Sequence, residues 1–450
     1  MLRNFKKFNK VLIMGLGIHA GGAGSAEFFL KLGLKVRVTD LKLRKELKAG
    51  IEKLKKWPVQ YVLGRHRNED FKWADYIIKN PSVPLESPYL KLARKLKKPI
   101  LNDAAIFFEE AGREKIIGVT GTKGKSTAVK ILGEFLKSRY KVLTTGLPGT
   151  SPLNDINRAK KADKIVMELS SFDLDLLKTS PNIAVITNIF PDHLNRYKTF
   201  NNYFSAKKNI FRWQKKNDVL FLNKNDKNSE KLAKEAKGKV IWFEGLGNSV
   251  SKYYLETEFP SVIISPTSLN AAVAVAKHFG VSDENIKKTI KNFKPLEGRF
   301  EKIGESKGVI FINDTTSTNP GATLFNLKNY LFYGSRRSVK MIYLILGGEN
   351  KGFKVSDYKE LVDFLAKNRQ KFKIVLLVGS ATELMKKNKA WNKLDVIIET
   401  DKMEKAVKAA FQSVGKNDVI LLSPASASFN LFTDEFQRGR VFKKAFLKLK

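Results

Sequence analysis

Short apolar segments alternate with longer amphipathic segments along almost the whole chain. The apolar segments have the length of buried strands, and the longer segments carry apolar residues at the spacing of surface helices. This alternation predicts an α/β fold with mostly parallel sheets, because parallel neighbours need a crossover connection, usually a helix. The predicted strands are 11–14, 35–39, 59–63, 75–79, 115–119, 141–145, 164–168, 183–187, 218–222, 239–243, 308–312, 341–346, 373–378, 394–398 and 418–422. The predicted helices include 22–32, 43–55, 87–96, 125–138, 199–214, 268–279 and 283–292, and 252–264 is predicted to be rich in β structure.

The strands fall into three series, as expected for a chain of 450 residues. The first series ends before "KPILNDAAIFFEEAGREK", and the third begins after "KPLEGRF". We therefore expect three domains, at residues 1–102, 103–297 and 298–450. The first and last are predicted to be Rossmann-like, and the central one to be a P-loop-type ATPase.

The composition limits the classes of function. A formal net charge of +39 raises the possibility of nucleic-acid binding. The lysines are spread along the chain, however, and no recognised nucleic-acid module or zinc-ligand spacing is present, so a compositional bias is the preferred interpretation. The absence of cysteine excludes disulfides and thiolate chemistry. No apolar run is long enough to span a membrane, and we expect a cytoplasmic monomer.

The segment "GVTGTKGKST", residues 118–127, predicts a phosphate-binding loop. The residues between the predicted strand and helix are Thr120, Gly121, Thr122, Lys123 and Gly124. Glycines let backbone N–H groups approach an anion, and the helix N-terminus adds a positive dipole. Lys125 can reach the β- and γ-phosphates, and Ser126 or Thr127 can offer a hydroxyl to Mg²⁺. The strict P-loop spacing requires glycine at Val119, but the order of strand, glycine turn, GKST and helix still predicts ATP binding.

Three further residues follow apolar segments of the central series. Glu168 ends the strand in "VMELSSFDLD", where it can be a Mg²⁺ ligand or a helix-capping acid. His193 follows the strand in "AVITNIFPDHLNRY", and such a histidine is more often structural than catalytic. Lys207, in "NYFSAKKNIF", reads by composition as a solvated surface lysine.

The first domain carries its own glycine turn. Gly15-x-Gly17-x-x-Ala20 follows the first strand, and Asp40 ends the second. Taken alone, this pattern is a weak indication of a dinucleotide fold with the acid on a ribose.

Together these segments resemble the Mur ligase family, the ATP-dependent amide-forming enzymes of peptidoglycan precursor synthesis. The loop is similar to the family's TGTNGKST, and "ELSSF", "TNIFPDH" and "YFSAK" are similar to further family segments. The members that add D-glutamate are the most similar, through "LEGRFE", "LILGGENKGF" and "LLSPASASFNLFTDEFQRG". The resemblance implies an ATP-dependent carboxylate–amine ligase. Its partners would be ATP, D-glutamate and UDP-N-acetylmuramoyl-L-alanine, which would react through an acyl phosphate.

The resemblance also implies roles for individual residues. Lys125, Glu168, His193 and Lys207 would be catalytic, with the loop 120–127 holding the ATP phosphates. Ser126 and Glu168 would serve one Mg²⁺, and His193 and a carbamylated Lys207 a second. The residues that would complete the ATP site are Asn270, Arg299 and Asp314. Those that would hold the UDP part of the substrate are Gly15, Leu16, Gly17, Ile18 and Asp40, and those near the amino acid are Lys351, Ser428 and Phe429.

Three positions depart from the family pattern. Thr316 stands where the D-glutamate-adding members usually have a lysine that contacts the incoming glutamate, and Leu147 and Lys123 each stand where an asparagine is usual. Either another cation such as Lys351 takes over the contact, or the amino-acid specificity differs. Two alternatives therefore remain open. One is a Mur-type or folylpolyglutamate-type ligase with another amino acid or acceptor, and the other is a basic ATPase associated with nucleic acid.

Overall fold

The computed structural model describes residues 9–17, 21–244, 265–334 and 340–449. Within them the chain forms three α/β domains, each built around one sheet, and nearly all neighbouring strands are parallel. This confirms the predicted fold class. The segment 252–264 lies outside the described residues.

The N-terminal sheet has five parallel strands in the order β3-β2-β1-β4-β5. They are β1 (Lys10–Met14), β2 (Lys35–Asp40), β3 (Gln60–Leu63), β4 (Tyr76–Lys79) and β5 (Ile100–Leu101). The helices of this part are Gly21–Lys31, Lys48–Lys53, Asn68–Trp73 and Pro88–Lys95. The strand order reverses at β1, whose neighbours are β2 and β4. The glycine turn after β1 therefore opens at a topological switch point, where ligands of such sheets bind.

The central sheet has six parallel strands in the order β11-β10-β9-β6-β8-β7. They are β6 (Ile116–Thr120), β7 (Val142–Thr145), β8 (Lys164–Glu168), β9 (Ile183–Ile186), β10 (Val219–Asn223) and β11 (Lys239–Phe243). The helices are Asp103–Ala111, Lys125–Leu136, Ile156–Lys161, Ser171–Leu174, Leu194–Tyr197, Phe200–Lys208, Ser229–Glu235, Pro266–His278 and Asp283–Asn292. Since β6 lies between β8 and β9, the segments that leave these three strands meet at one edge of the sheet.

The helix after the phosphate loop is held by an apolar face. Ala128, Ile131, Leu132 and Phe135 recur at helical spacing and are buried, and they pack with residues of the helix Pro266–His278 in one hydrophobic core. This packing fixes the helix N-terminus at the carboxyl end of β6.

The C-terminal sheet has six strands in the order β12-β13-β17-β14-β15-β16, and only β12 is antiparallel to its neighbour. The strands are β12 (Glu301–Ser306), β13 (Val309–Asn313), β14 (Ile342–Gly347), β15 (Phe372–Leu377), β16 (Val396–Thr400) and β17 (Val419–Leu422). The helices are Pro320–Gly334, Val355–Lys367, Ser380–Lys386, Met403–Gln412 and Glu435–Leu447. The ends of β13, β17 and β14 are neighbours, which brings together the segments that begin at residues 314, 423 and 348.

Every predicted strand is present, with ends displaced by at most two residues. The prediction missed β5 and β12, which are short or only partly buried. The predicted helix 43–55 is a 3-10 turn, Arg44–Leu47, followed by Lys48–Lys53, and the predicted helix 199–214 ends at Lys208. The domain boundaries remain a prediction. In the described part of the chain, no helix is both long and apolar enough to cross a bilayer.

Candidate active site

The glycines of the phosphate loop have backbone conformations and surroundings that exclude a side chain. Gly121 and Gly124 follow β6 with φ values of +152° and +84°. A Cβ on Gly121 would overlap Thr187 Oγ1, and one on Gly124 would lie 2.5 Å from Ser268 Oγ. The loop therefore follows a path that only glycine allows at these two points.

The segment that follows β9 anchors the loop. The backbone N–H of Thr122 donates to Asn188 O at 2.8 Å, and that of Lys123 to Asn188 Oδ1 at 2.9 Å. Within the described residues no side chain caps the helix Lys125–Leu136, because Gly124 occupies the N-cap. The N–H groups of the first helical turn thus have neither intrahelical acceptors nor a side-chain cap there, which suits them to bind an anion.

Lys125, Ser126 and Glu168 meet at this helix N-terminus. Lys125 Nζ donates to Thr122 O at 3.2 Å, and Ser126 Oγ donates to Glu168 Oε2. Burial lowers the pKa of Lys125, while Glu168 opposes that shift. Thr127 lies on the same first turn. The loop thus combines a cation, a hydroxyl and a carboxylate.

Glu168 does not cap the helix that follows it. The short helix Ser171–Leu174 is capped by Ser170, whose Oγ accepts from the N–H of Asp173 at 3.2 Å. Glu168 is 5 % exposed and faces the phosphate loop through Ser126. The interpretation of Glu168 as a helix-capping acid is therefore wrong, and its role as a metal ligand stays a prediction.

Lys207 is buried, so the compositional interpretation of it as a surface lysine is wrong. It is 1 % exposed, and its Nζ donates to Gly121 O at 2.7 Å and to Thr120 Oγ1 at 3.3 Å. The ammonium also lies 4.9 Å from the centre of the Tyr203 ring. Burial lowers the pKa of Lys207 well below its usual value. Lys207 therefore has a stronger tendency than a surface lysine to be a neutral amine.

His193 lies near the same site with a left-handed backbone, φ +52°. Its ring packs edge-on against Phe172, with centroids 4.9 Å apart, and its Nε2 lies 3.8 Å from Asp192 Oδ2. Burial lowers the pKa of His193 to about 4. The imidazole is therefore neutral at neutral pH, the form in which histidine binds a metal.

Asn270 and Ser428 are among the buried polar side chains that lack protein partners within the described residues. Asn270, on the helix Pro266–His278, is 3 % exposed, and neither its Oδ1 nor its Nδ2 has a hydrogen-bond partner there. Ser428 is 2 % exposed, and its Oγ is unpaired within the same part of the chain. Such groups are costly to bury unpaired, so a bound ligand or water would stabilise them.

Asp314 is fixed inside the C-terminal domain. It is 1 % exposed and accepts from Ser423 Oγ at 2.7 Å and from Asn326 Nδ2 at 2.9 Å. Burial raises its pKa. Arg299 is partly buried, and its charge acts on Lys123 and Lys125 of the phosphate loop. The charges of Arg299 and Asp314 therefore both act on Lys123 of the phosphate loop.

The C-terminal domain contacts the phosphate loop at Thr316, whereas the contact of Thr318 lies within the C-terminal domain. Lys123 Nζ donates to Thr316 O at 2.6 Å, and Lys351 Nζ donates to Thr318 Oγ1 at 2.8 Å. Phe429, in contrast, is 58 % exposed.

Arg438 was not recognised from the sequence. It lies in the helix Glu435–Leu447, is fully buried and donates to Thr315 Oγ1, Thr315 O, Ser426 O and Ala427 O. Burial lowers its pKa to about 9. This guanidinium joins the two loops that carry Thr316 and Ser428. In the sequence, Arg438 stood out only as part of the segment "DEFQRG", and that segment does not indicate whether the arginine is buried.

The glycine turn of the N-terminal domain has the expected backbone. Gly15 and Gly17 have φ values of +94° and +72°. Ile18 lies outside the described residues.

Asp40 organises this turn through backbone bonds. Its Oδ2 accepts from Leu16 N at 2.8 Å and from Gly17 N at 3.3 Å, and its Oδ1 accepts from Lys42 N at 2.9 Å. The carboxylate is 8 % exposed. Its first role is therefore to hold the turn, a role that the sequence did not indicate.

Leu147 packs against the hydrophobic core that contains the helices Lys125–Leu136 and Pro266–His278. Its side chain has no hydrogen-bonding group, whereas the asparagine that the family resemblance leads us to expect at this position has one.

Among the described residues, no group of three or more His, Asp or Glu side chains could hold a metal ion by itself. A Mg²⁺ at Ser126 and Glu168 would need oxygens from phosphate and water, as is common for this ion.

Comparison with known proteins identifies the family. Residues 9–102 match the MurD-like N-terminal domain of Mur ligases, 119–271 the Mur ligase middle domain, and 298–426 the Mur ligase glutamate ligase domain. The UDP-N-acetylmuramoylalanine--D-glutamate ligase of Roseiflexus sp. (strain RS-1) is 33 % identical, and the alignment covers 97 % of each chain. That of Borreliella afzelii (strain PKo) is 34 % identical over 96 % of each chain. The chain belongs to the Mur ligase family.

Solved Mur ligase structures share the fold. The UDP-N-acetylmuramate-alanine ligase MurC from Thermotoga maritima aligns over 98 % of this chain and 100 % of its own, with a TM-score of 0.58 and 18 % identity. MurF from Acinetobacter baumannii aligns over 98 % of both chains, with a TM-score of 0.60 and 15 % identity. The resemblance seen in the sequence is therefore confirmed, and so is the three-domain architecture.

Proposed function

We propose that this Mur ligase joins D-glutamate to UDP-N-acetylmuramoyl-L-alanine at the expense of ATP, in peptidoglycan precursor synthesis. Full-length similarity to relatives that carry this name supports the reaction. The observation that carries the proposal is the meeting of a phosphate loop with the C-terminal domain at Lys123 and Thr316. An ATP site and an amino-acid site are thereby adjacent, as the reaction requires.

ATP fits the groups that the protein leaves unpaired. We place the adenine beside Asn270, whose buried amide has both a donor and an acceptor to offer. The phosphates then lie on the loop 120–127, where Lys125 and the first-turn amides face them. Arg299 and Asp314 would close the site from the C-terminal domain.

Magnesium fits Ser126 and Glu168, since a hydroxyl and a carboxylate are ligands that this ion accepts. When bound, Mg²⁺ would neutralise charge on the phosphate oxygens.

A second ion would involve His193 and Lys207. The lowered pKa of Lys207 favours the neutral amine, whose nitrogen can form a bond to the carbon of CO₂ and lose a proton to give a carbamate. The carbamate supplies carboxylate oxygens near the neutral His193. Labelling with ¹³C-bicarbonate should give a carbamate signal that Lys207→Arg lacks, and equal signals in both proteins would reject the modification.

The reaction activates a carboxylate and then forms an amide. The substrate carboxylate takes the γ-phosphoryl group of ATP, and the amino group of D-glutamate displaces phosphate from the acyl phosphate. Negative charge develops on oxygens in both steps, and Lys125 and the helix N-terminus stabilise it. The contact between the C-terminal domain and the loop limits access of water, which would hydrolyse the acyl phosphate.

The other substrates are assigned to the flanking domains. We propose that the turn at Gly15–Gly17, shaped by Asp40, holds the UDP part. Lys351, Ser428 and Phe429 would hold the incoming amino acid, and the unpaired Ser428 Oγ supports this placement. The boundaries proposed for the three domains are 1–102, 103–297 and 298–450.

An amino-acid panel tests the function. With UDP-N-acetylmuramoyl-L-alanine, ATP and Mg²⁺, single amino acids are compared for phosphate release, and D-glutamate should give the highest turnover. Lys125→Met should lose this release while it keeps the wild-type melting temperature. A panel in which D-glutamate gives no turnover would reject the specificity, and full turnover by Lys125→Met would reject the role of that lysine.

A further inference from the structure

Two of the three positions that depart from the family pattern touch each other. By the resemblance described above, Lys123 stands in the phosphate loop where an asparagine is usual, and Thr316 stands in the C-terminal domain where a lysine is usual. Their sequence separation is 193 residues, yet Lys123 Nζ lies 2.6 Å from Thr316 O. A positive charge of the phosphate loop therefore lies against the backbone of residue 316.

The backbone of Lys123 is held firmly. Its N–H donates to Asn188 Oδ1 at 2.9 Å, and its carbonyl accepts from Thr187 Oγ1 at 2.7 Å and from Asn188 Nδ2 at 3.1 Å. A side chain that starts from a fixed backbone loses less conformational entropy when it binds a ligand. Lys123 is thus pre-organised to place its ammonium at the C-terminal domain.

Thr316 cannot replace that cation. Its Oγ1 donates to Gly298 O at 3.0 Å, and its N–H donates to the same oxygen at 3.1 Å. The hydroxyl is therefore turned into its own domain. Thr316 and Thr318 are both partly exposed, whereas Ser317 between them is buried.

Two ammonium groups converge on this segment. Lys123 contacts residue 316, and Lys351 contacts residue 318 at 2.8 Å. The charges of both lysines act on the buried Asp192, which lies beside His193. An amino acid with an acidic side chain has two carboxylates and needs two anion-binding groups, and this pair of cations meets that need.

We propose that Lys123 is a specificity-determining residue that holds one carboxylate of the incoming amino acid, with Lys351 at the other. The inference deepens the proposed function and rests on it. It also assigns Lys123 to the amino acid rather than to the nucleotide phosphates, because its ammonium points from the loop to the C-terminal domain. Loss of one charge-assisted hydrogen bond predicts about a 10- to 100-fold weaker interaction.

Two variants that move the positive charge from residue 123 to residue 316 test this role. Lys123→Asn should raise KM for D-glutamate by about 10- to 100-fold and reduce the preference for D-glutamate over D-glutamine. KM for ATP should change by much less. Adding Thr316→Lys to Lys123→Asn returns a cation to the C-terminal domain and should restore most of the affinity for D-glutamate. Lys137→Met is the matched control. It removes an exposed lysine just beyond the helix Lys125–Leu136 and should behave as wild type.

The outcomes separate the two proposals. If the wild type uses D-glutamate and Lys123→Asn leaves its KM unchanged, or raises KM for ATP equally, the role of Lys123 is rejected and the proposed function stands. If the wild type uses only neutral amino acids, both are rejected. An unchanged melting temperature and ATP affinity of Lys123→Asn show that a loss is not due to unfolding.

Discussion

At the scale of residues, lysines of this chain occupy contrasting environments. Lys79 is 1 % exposed and donates to Val83 O at 3.1 Å, and burial lowers its pKa to about 8. Lys207 is equally buried, whereas Lys137 is exposed. From the composition alone, all three lysines would be expected to lie on the surface. Burial is set by neighbours from distant strands, so the role of a single lysine could not be predicted from local sequence.

Asp103 gives a prediction for pH dependence. Its carboxylate accepts from Ser25 Oγ at 2.8 Å and from Ser151 Oγ, and burial raises its pKa to about 6 from an ordinary 3.8. Between these pH values the native state binds more protons than the unfolded state, so the free energy of unfolding falls as pH rises through this window. Asp103→Asn does not titrate, and its melting temperature relative to wild type should increase from pH 4 to pH 7.

The exposed Asp401 supplies the control for that experiment. Asp401→Asn is measured at the same two pH values, so that the effect of an Asp-to-Asn substitution at an exposed position can be compared. A difference between Asp103→Asn and wild type that stays constant from pH 4 to pH 7 would contradict the raised pKa.

At the scale of elements, the sequence was most informative where one strand ends and a helix begins. The order of β6, a glycine turn and the helix Lys125–Leu136 was predicted to within two residues. Apolar periodicity and glycine are local signals, which is why they sufficed. The antiparallel β12 was missed because it is only partly buried and its polar sequence lacks a strand pattern.

Gly124 tests the importance of this junction. Gly124→Ala should weaken ATP binding by at least about 10-fold, because the new Cβ would lie 2.5 Å from Ser268 Oγ and force the loop out of its path. The left-handed conformation of an alanine would also cost about 1–2 kcal/mol of stability. Gly33 has a similar φ of +80°, but a Cβ added there would meet no atom of the described residues within 4 Å. Gly33→Ala should therefore lose a similar amount of stability to strain and keep its ATP affinity. Equal ATP affinities of the two variants, measured by calorimetry, would show that the loop tolerates a side chain.

At the scale of the whole molecule, the net charge of +39 raises the question of whether the protein is a ligase or an ATPase associated with nucleic acid. The phosphate loop contacts the C-terminal domain at Thr316, and the proposed function needs no nucleic acid, so we attribute RNA affinity, if present, to general electrostatics. Such binding falls steeply with salt concentration.

Turnover in the presence of RNA tests that view. Phosphate release that depends on D-glutamate should be unchanged by RNA at about 0.3 M salt, where general electrostatic binding is weak. Lys125→Met, which should release no phosphate with or without RNA, is the control for contaminating ATPases. Stimulation of phosphate release by RNA without D-glutamate would favour the nucleic-acid-associated ATPase instead.

The amino-acid sequence by itself determined the order of strands and helices, the α/β class, the phosphate loop and, through its resemblance, the family. These depend on periodicity and on glycine, which act over a few neighbouring residues. Tertiary structure alone decided that Lys207 is buried, that Asp40 holds its own glycine turn, that Arg438 joins two loops and that Lys123 meets Thr316. Each of these depends on packing between segments that are far apart in the chain, and no local pattern encodes such a contact.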